Sequence, residues 1–274
     1  MNAENYFIST FTSAGTHIGD DGACVGQWVY SKDVFFENVH FKRTWLSPYQ
    51  IGYKAMIVNI SDAIAMNATP AYALLGVAMP KSISLHQMDE LSRGIRAAAS
   101  EYGIEIIGGD TISNSKLDLS ITIISQAKNP LLRRGLKKGD IIAYTGTIGK
   151  SARDLRYLLS GGKVHTKSRF VAPKLRQGFV SDARPYLRCG MDLSDGLCSD
   201  IEKLSRANRL GIQWDKKISK RGKCSGEEYE MLIAFSPRRL ETIRRIAART
   251  RTTITPVAHA VRGSYTSRCK RHHF

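Results

Sequence analysis

A chain of 274 residues, 42% of them hydrophobic, is long enough to bury a substantial core, and it has no run near the roughly 18 apolar residues of a membrane helix. Its five cysteines are odd in number and form no Cys-x-x-Cys pair, which speaks against a disulfide framework and a zinc site and makes reduced thiols the expectation. The net charge of +17 is uneven: residues 1–127 carry 8 Lys and Arg against 12 Asp and Glu, residues 128–274 carry 33 against 12, a split that suits anionic ligands or nucleic acid.

In chain order, strands are expected near Cys24–Val25 and over 28–36. Ser47 as N-cap and Pro48 in the first turn open a helix that apolar periodicity carries to about Asn67. Residues 72–79 form a short apolar run, the pattern of a buried strand. The spacing Ser84-x-x-Gln87 makes a capping box for a second helix, which Gly103 ends. Leu117, Leu119, Ile121 and Ile123 alternate with polar residues, as in a half-buried strand.

Composition changes after Ala127, and Lys128-Asn129-Pro130 reads as a boundary between domains at 1–128 and 129–274. The second half predicts a strand over 140–145, a helix over 150–159, a strand over 189–193 and a helix over 195–208 that stops before Gly211. Residues 161–188 read as loop with one helix at most. The basic stretch 238–251 has helical character, and a solvated helix face accounts for it as well as a partner does.

The residues that carry chemistry are aspartates at the ends of apolar segments, each beside Gly or Ser: Asp20 and Asp21, Asp33, Asp62, Asp110, Asp192 and Asp195. Ligands of α/β sheets gather at strand ends. Carboxylates collected there repel one another unless cations neutralise them, and magnesium, a hard ion with oxygen ligands, suits them. Taken singly, Asp20–Gly22 is equally a tight turn, Asp62 a solvated helix residue and Gly108-Gly109-Asp110 a hinge. Glycines in Thr145–Ser151 precede a helix, so its amides could face a phosphate, although the spacing is not that of a Walker A loop. Arg133 and Arg134 could donate to a phosphate or form a solvated turn.

In this order the strings 18–23, 33–41, 51–68, 108–111, 133–145, 191–197 and 226–232 resemble the thiamine-monophosphate kinase family, a branch of the aminoimidazole ribonucleotide synthetase-like superfamily. The resemblance implies two α/β domains, with the N-terminal one pairing across a homodimer and the C-terminal one covering the nucleotide. It implies an ATP-dependent phosphorylation of thiamine monophosphate to thiamine diphosphate. By position, Asp21, Ser31, Asp33, Asp62, Asp110, Asp192 and Asp195 would bind several magnesium ions. Gly109, Asp110, Arg133 and Ser194 would meet ATP, and His40 and Glu227 the thiamine monophosphate. Asp62, Asp110 and Arg133 would carry the catalysis.

The chain departs from the family at Lys32, where a hydroxyl ligand is expected, and at Ser225, where a glycine is expected. Tyr265 and Phe274 are the candidates to cover the thiamine ring. The rival readings are another ATP-dependent synthetase of the same fold and a basic nucleic-acid-binding protein. The first lacks the reactive Cys expected in residues 1–23 or at the C-terminus; the second has only charge behind it. An N-terminus without a basic and apolar leader predicts a cytoplasmic protein with no membrane partner.

Overall fold

Two reciprocal serine–glutamine caps start two packed helices, of which the first carries part of the site. The structure, a computed structural model, describes residues 3–11 and 17–270; Phe274 lies outside them. After helix α1 (Ala3–Ser9) and strands β1 (Ala23–Val25) and β2 (Trp28–Phe36), helix α2 runs over Pro48–Ala65. Ser47 accepts the Gln50 amide and the Gln50 side chain accepts the Ser47 amide, while Pro48 fills a position that has no N–H partner to lose. Helix α3 (Leu85–Glu101) begins on the same pair of bonds between Ser84 and Gln87. Gly103, at φ 66°, follows its end.

Strand β3 (Thr69–Pro80) precedes α3, and β4 (Glu105–Asn114) and β5 (Asp118–Gln126) follow it. The sheet order is β1-β2-β5-β3-β4. Only β3 and β4 are parallel, because α3 carries the chain back across the sheet between them. Gly108-Gly109-Asp110 is therefore the middle of an edge strand and not a hinge. Its glycines and exposed pattern concealed the strand from periodicity.

A second sheet, all antiparallel, has the order β7-β9-β6-β10-β8. It comprises β6 (Ile141–Thr145), β7 (Cys189–Asp192), β8 (Gly211–Trp214), β9 (Met231–Phe235) and β10 (Ile254–Val261). Between these lie α4 (Lys150–Leu159), α5 (Gln177–Ala183), α6 (Leu197–Asn208), α7 (Lys220–Lys223) and α8 (Leu240–Arg249). Helix α6 ends on Arg209 in the left-handed region, at φ 55°, two residues before the expected glycine. No helix among the described residues is long and apolar enough to cross a membrane.

One expectation fails outright. Cys224 and Cys269 form a disulfide across 45 residues, while Cys24, Cys189 and Cys198 are free. The odd count hid the pair, since one bridge and three thiols satisfy it as well as none does.

Helix α2 is buried almost all round, as a helix between two layers must be. Its Ile57, Ile60 and Ile64 share one core with Leu119, Ile121 and Ile123 of β5 and with Phe179, Ile233, Phe235 and Ile243 of the second half. The opposite face of the second sheet packs Met191, Leu232 and Val257 on Ile201 and Leu204 of α6. Helices α2 and α3 cross at backbone distance: a Cβ on Gly52 would lie 2.3 Å from the Leu91 carbonyl oxygen, and one on Gly94 would lie 2.0 Å from that of Tyr49. Gly94→Ala is expected to destabilise the protein by about 1–3 kcal/mol through overpacking, read by denaturant unfolding. A change within about 0.5 kcal/mol, the range of an ordinary surface substitution, would show that the two helices separate freely.

Candidate active site

Four elements converge where α2 meets the end of β7. Asp21 comes from the turn before β1, Asp33 from β2, Asp62 from the last turn of α2 and Asp192 from the end of β7. Asp21, Asp62 and Asp192 offer oxygens that all lie within 4.8 Å of one another. The scaffold fixes them individually. Asn59, buried on α2, accepts the Asp33 amide at 2.7 Å. Ser31 donates to the Asn59 carbonyl at 3.4 Å. Ser61 donates to Asp192 Oδ2 at 2.8 Å, and the Asp192 amide to Asp21 Oδ2 at 3.3 Å. Arg133 Nε donates to Asp21 Oδ1 at 3.0 Å, while the Arg133 amide bonds Asp20 at 2.7 Å.

This crowding costs electrostatic energy. Burial, then repulsion from Asp33, Asp192 and Asp21, pushes the Asp62 carboxyl well above the usual carboxylate range, and Arg133 offsets part of it. Burial and then Asp21 and Asp200 push Asp192 the same way against the Ser61 bond. A set of oxygen donors that resist ionising together, and that one arginine only partly compensates, is suited to a hard divalent cation.

Around this centre the other expected residues fall into three groups. Asp195 is held by Lys203 Nζ at 2.6 Å, which also reaches Asp200 at 2.9 Å. Burial is the main reason the Asp200 carboxyl is pushed up to about 6, with Lys203 opposing it. Ser194 takes part through its backbone, accepting the Glu227 amide at 2.7 Å. Glu227 is paired with Lys54 of α2 at 2.7 Å. The Lys54 ammonium lies 5.6 Å from the Phe35 ring. His40 stacks on that same ring at 5.5 Å and accepts the Phe36 amide on Nδ1 at 3.0 Å. His40 and Glu227 therefore share a neighbourhood through Phe35 and Lys54.

Gly109 and Asp110 are not part of the cluster. Across the sheet, Asp33 pairs with Ile121, Ile121 with Leu75 and Leu75 with Gly109. Three strand spacings put Gly109 roughly 14 Å from Asp33. Asp110, one residue on, faces the opposite side of the sheet. Lys32 also faces outward and donates to Ser120 Oγ at 2.6 Å, so strand alternation removes its side chain from the Asp33 side.

Two amides of the glycine loop and first turn of α4 are already taken. Gly149 and Ser151 donate to Glu228 Oε1 at 2.6 and 3.2 Å, so a carboxylate already occupies the place expected for a phosphate. Ser225 also donates to Glu228, and with Glu227 and Tyr229 at φ 53° and 50° the loop turns without the missing glycine. Tyr265 packs on Trp214, with ring centres 6.1 Å apart. Sequence reasoning overlooked Lys54, Ser61, Lys203 and Glu228. Lys54, Ser61 and Glu228 lie inside the strings 51–68 and 226–232 that carry the resemblance, whereas Lys203 lies outside every such string.

The family model for AIR synthase related protein, N-terminal domain, matches residues 19–127. The chain is 32% identical over 219 residues to the thiamine-monophosphate kinase of Bacillus subtilis (strain 168), covering 74% of this chain and 67% of that protein. It is 30% identical over 260 residues to that of Buchnera aphidicola subsp. Schizaphis graminum (strain Sg), covering 82% and 78%. The solved structure of AaThiL complexed with AMPPCP and TMP matches with a TM-score of 0.87 at 24% identity, over 99% of this chain and 96% of that one. The two-sheet architecture is thus the AIR synthase-related fold that the sequence strings imply.

The raised carboxyls set a direction for stability. A native carboxyl with a raised pKa binds its proton more tightly than the unfolded chain does, so stability is full below the ordinary Asp value and falls as pH rises through the raised one. Asp62→Asn should therefore melt higher than the parent in chelator at about pH 8, with the gain shrinking toward pH 4. Magnesium should raise the melting temperature of the parent and not of the variant. Equal melting curves at about pH 8 would mean that the carboxylates do not strain one another.

Proposed function

The chain belongs to the thiamine-monophosphate kinase family, and from that premise we propose that it transfers the γ-phosphoryl group of ATP to thiamine monophosphate, giving thiamine diphosphate and ADP. The observation that carries this reading is the convergence of Asp21, Asp62 and Asp192 within 4.8 Å, next to Arg133. A terminal phosphate oxygen of the acceptor forms the new P–O bond as the β–γ bridge of ATP breaks, and the electron pair leaves on ADP. The acceptor needs little help from a base, because a phosphate monoester with a second pKa of about 6 is already mostly ionised.

The difficulty is bringing two anions together. Unit charges ~4 Å apart repel by about 4 kcal/mol at an effective dielectric of 20, and these groups carry more than one charge each. The all-oxygen donor set fits magnesium, which Asp21, Asp33, Asp62 and Asp192 would hold and which, when bound, neutralises the phosphates. Ser31 and Asp195 stand at the margins of that set. Arg133, anchored on Asp21, is directed toward ATP phosphate charge together with Ser194, and Glu227 and His40 toward the acceptor. A carboxylate beside a thiazolium cation is a favourable pairing.

Asp110 and Gly109 lie too far from Asp33 within one subunit to join the same ions. We assign them to the site of a second copy. The outer sheet face that carries Asp110 exposes Tyr30, Val34, Leu74 and Ile112 by 39%, 42%, 39% and 59%, an apolar area of the kind that interfaces cover. The two sheets correspond to domains at 1–128 and 129–274 that share the α2 core. A cytoplasmic location agrees with a supply of ATP. The basic second half suits two phosphate-bearing ligands without nucleic acid.

Incubation with ATP, magnesium and thiamine monophosphate should yield thiamine diphosphate, and free thiamine should not replace the acceptor. Asp62→Asn and Asp110→Asn should each lower kcat by about 100-fold or more, the scale of a lost electrostatic group. Mixing the two inactive variants after dissociation should restore about a quarter of parental activity, since half the dimers are then mixed and each regains one intact site. No recovery in the mixture would put Asp110 outside the reaction or within its own subunit's site.

A further inference from the structure

Lys54 sits in the middle of α2 with no exposed surface. An ammonium buried that deeply is tolerated only beside a fixed counter-charge. That counter-charge is Glu227, whose Oε2 accepts from Nζ at 2.7 Å. The remaining surroundings are aromatic, with the Phe170 ring centre 3.9 Å and the Phe35 ring centre 5.6 Å from Nζ. Nζ thus has little freedom to move, whereas the Glu227 side chain keeps 23% of its surface open.

The pair also crosses between the two halves of the chain. Lys54 shares α2 with Asn59, Ser61 and Asp62, and Glu227 belongs to the loop before β9. That loop is latched to the segment after Asp192 by the Glu227 amide on Ser194 and the Tyr229 amide on Leu193, at 2.7 and 3.0 Å. Buried Tyr229 lies between, close enough to feel the charges of Glu227, Asp33, Asp192 and Asp62 together. The acceptor residue and the carboxylate cluster are thus two ends of one connected unit.

We infer that Lys54 is a positioning residue for the acceptor: it orients the Glu227 carboxylate toward the cationic ring of thiamine monophosphate and ties that carboxylate to the helix that carries Asp62. The inference rests on the reading of Glu227 as an acceptor contact. Lys54 itself touches neither substrate, so its effect falls on one KM and not on the other.

Steady-state kinetics and melting curves on the full chain test this, with ATP–magnesium and thiamine monophosphate varied separately. Lys54→Met should raise KM for thiamine monophosphate about tenfold, the loss of one charge-assisted contact's orientation. KM for ATP should stay unchanged, and the melting temperature should fall less than in Glu227→Gln, because the carboxylate left behind keeps 23% of its side-chain surface open to water whereas the ammonium has none. Glu227→Gln should raise the same KM and also lower the melting temperature, since it strands a buried ammonium. The double variant should recover the melting temperature with no further rise in KM, and it serves if Glu227→Gln alone does not fold.

An unchanged KM for thiamine monophosphate in Lys54→Met beside a raised one in the double variant overturns the positioning role and leaves Glu227 as an acceptor contact. An unchanged KM in the double variant removes the acceptor reading of Glu227 itself, and the inference with it. A loss of melting temperature in Lys54→Met as large as that in Glu227→Gln, with both KM values moving together, assigns Lys54 to structure alone.

Discussion

Like charges held close together are the constraint around which this molecule is organised. Asp21, Asp62 and Asp192 would separate in any flexible arrangement, because their repulsion is strengthened where protein excludes water. They stay together because each is fixed by a different part of the chain, and those parts are locked by packing that has nothing to do with charge. Helix α2 is the main device. It is buried between two sheets, it carries Asp62 directly, and through Asn59 and Ser61 it bonds the neighbours Asp33 and Asp192.

The same arrangement explains how the basic half is used. Arg133 and Lys203 are each placed against acidic groups, and in both cases nearby carboxylates outweigh the burial that would otherwise discharge the cation. Arg176 and Glu230, buried as a bidentate pair at 2.6 Å, brace the loop before α5 against β9. Much of the surplus positive charge remains on exposed surfaces such as α8, where Arg244 pairs with Glu241 and Arg249 with Asp182. Exposed pairs of this kind contribute little to stability.

Local chemistry was legible in the sequence wherever one residue type has one use. Ser47, Pro48, Ser84 and Gln87 marked helix starts because capping needs those side chains at those spacings. The alternation through β5 disclosed a strand with one face buried. Strand β4 was hidden, since its exposed glycines break periodicity and its order comes from pairing with β3. The aspartates could be recognised as a set, but not which of them meet: Asp33 and Gly109 stand in one cross-sheet row yet three strands apart, a fact of register that no local pattern encodes. The burial of Lys54 was hidden for a related reason. A lysine within a helix reads as a solvated residue, and only the second half of the chain supplies the carboxylate that makes burial possible.

The close crossing of α2 and α3 has a mechanical meaning. Gly52 and Gly94 allow the two backbones to touch, and from Gly52 a rigid rod of ten residues, about 15 Å long, leads to Asp62. A wedge between the helices would therefore be felt as a tilt at the rod's far tip, where displacements near an ångström matter to chemistry. The tolerance of this enzyme's reaction geometry is set partly by two glycines, one on each helix, that lie a rod's length from the carboxylate at its tip.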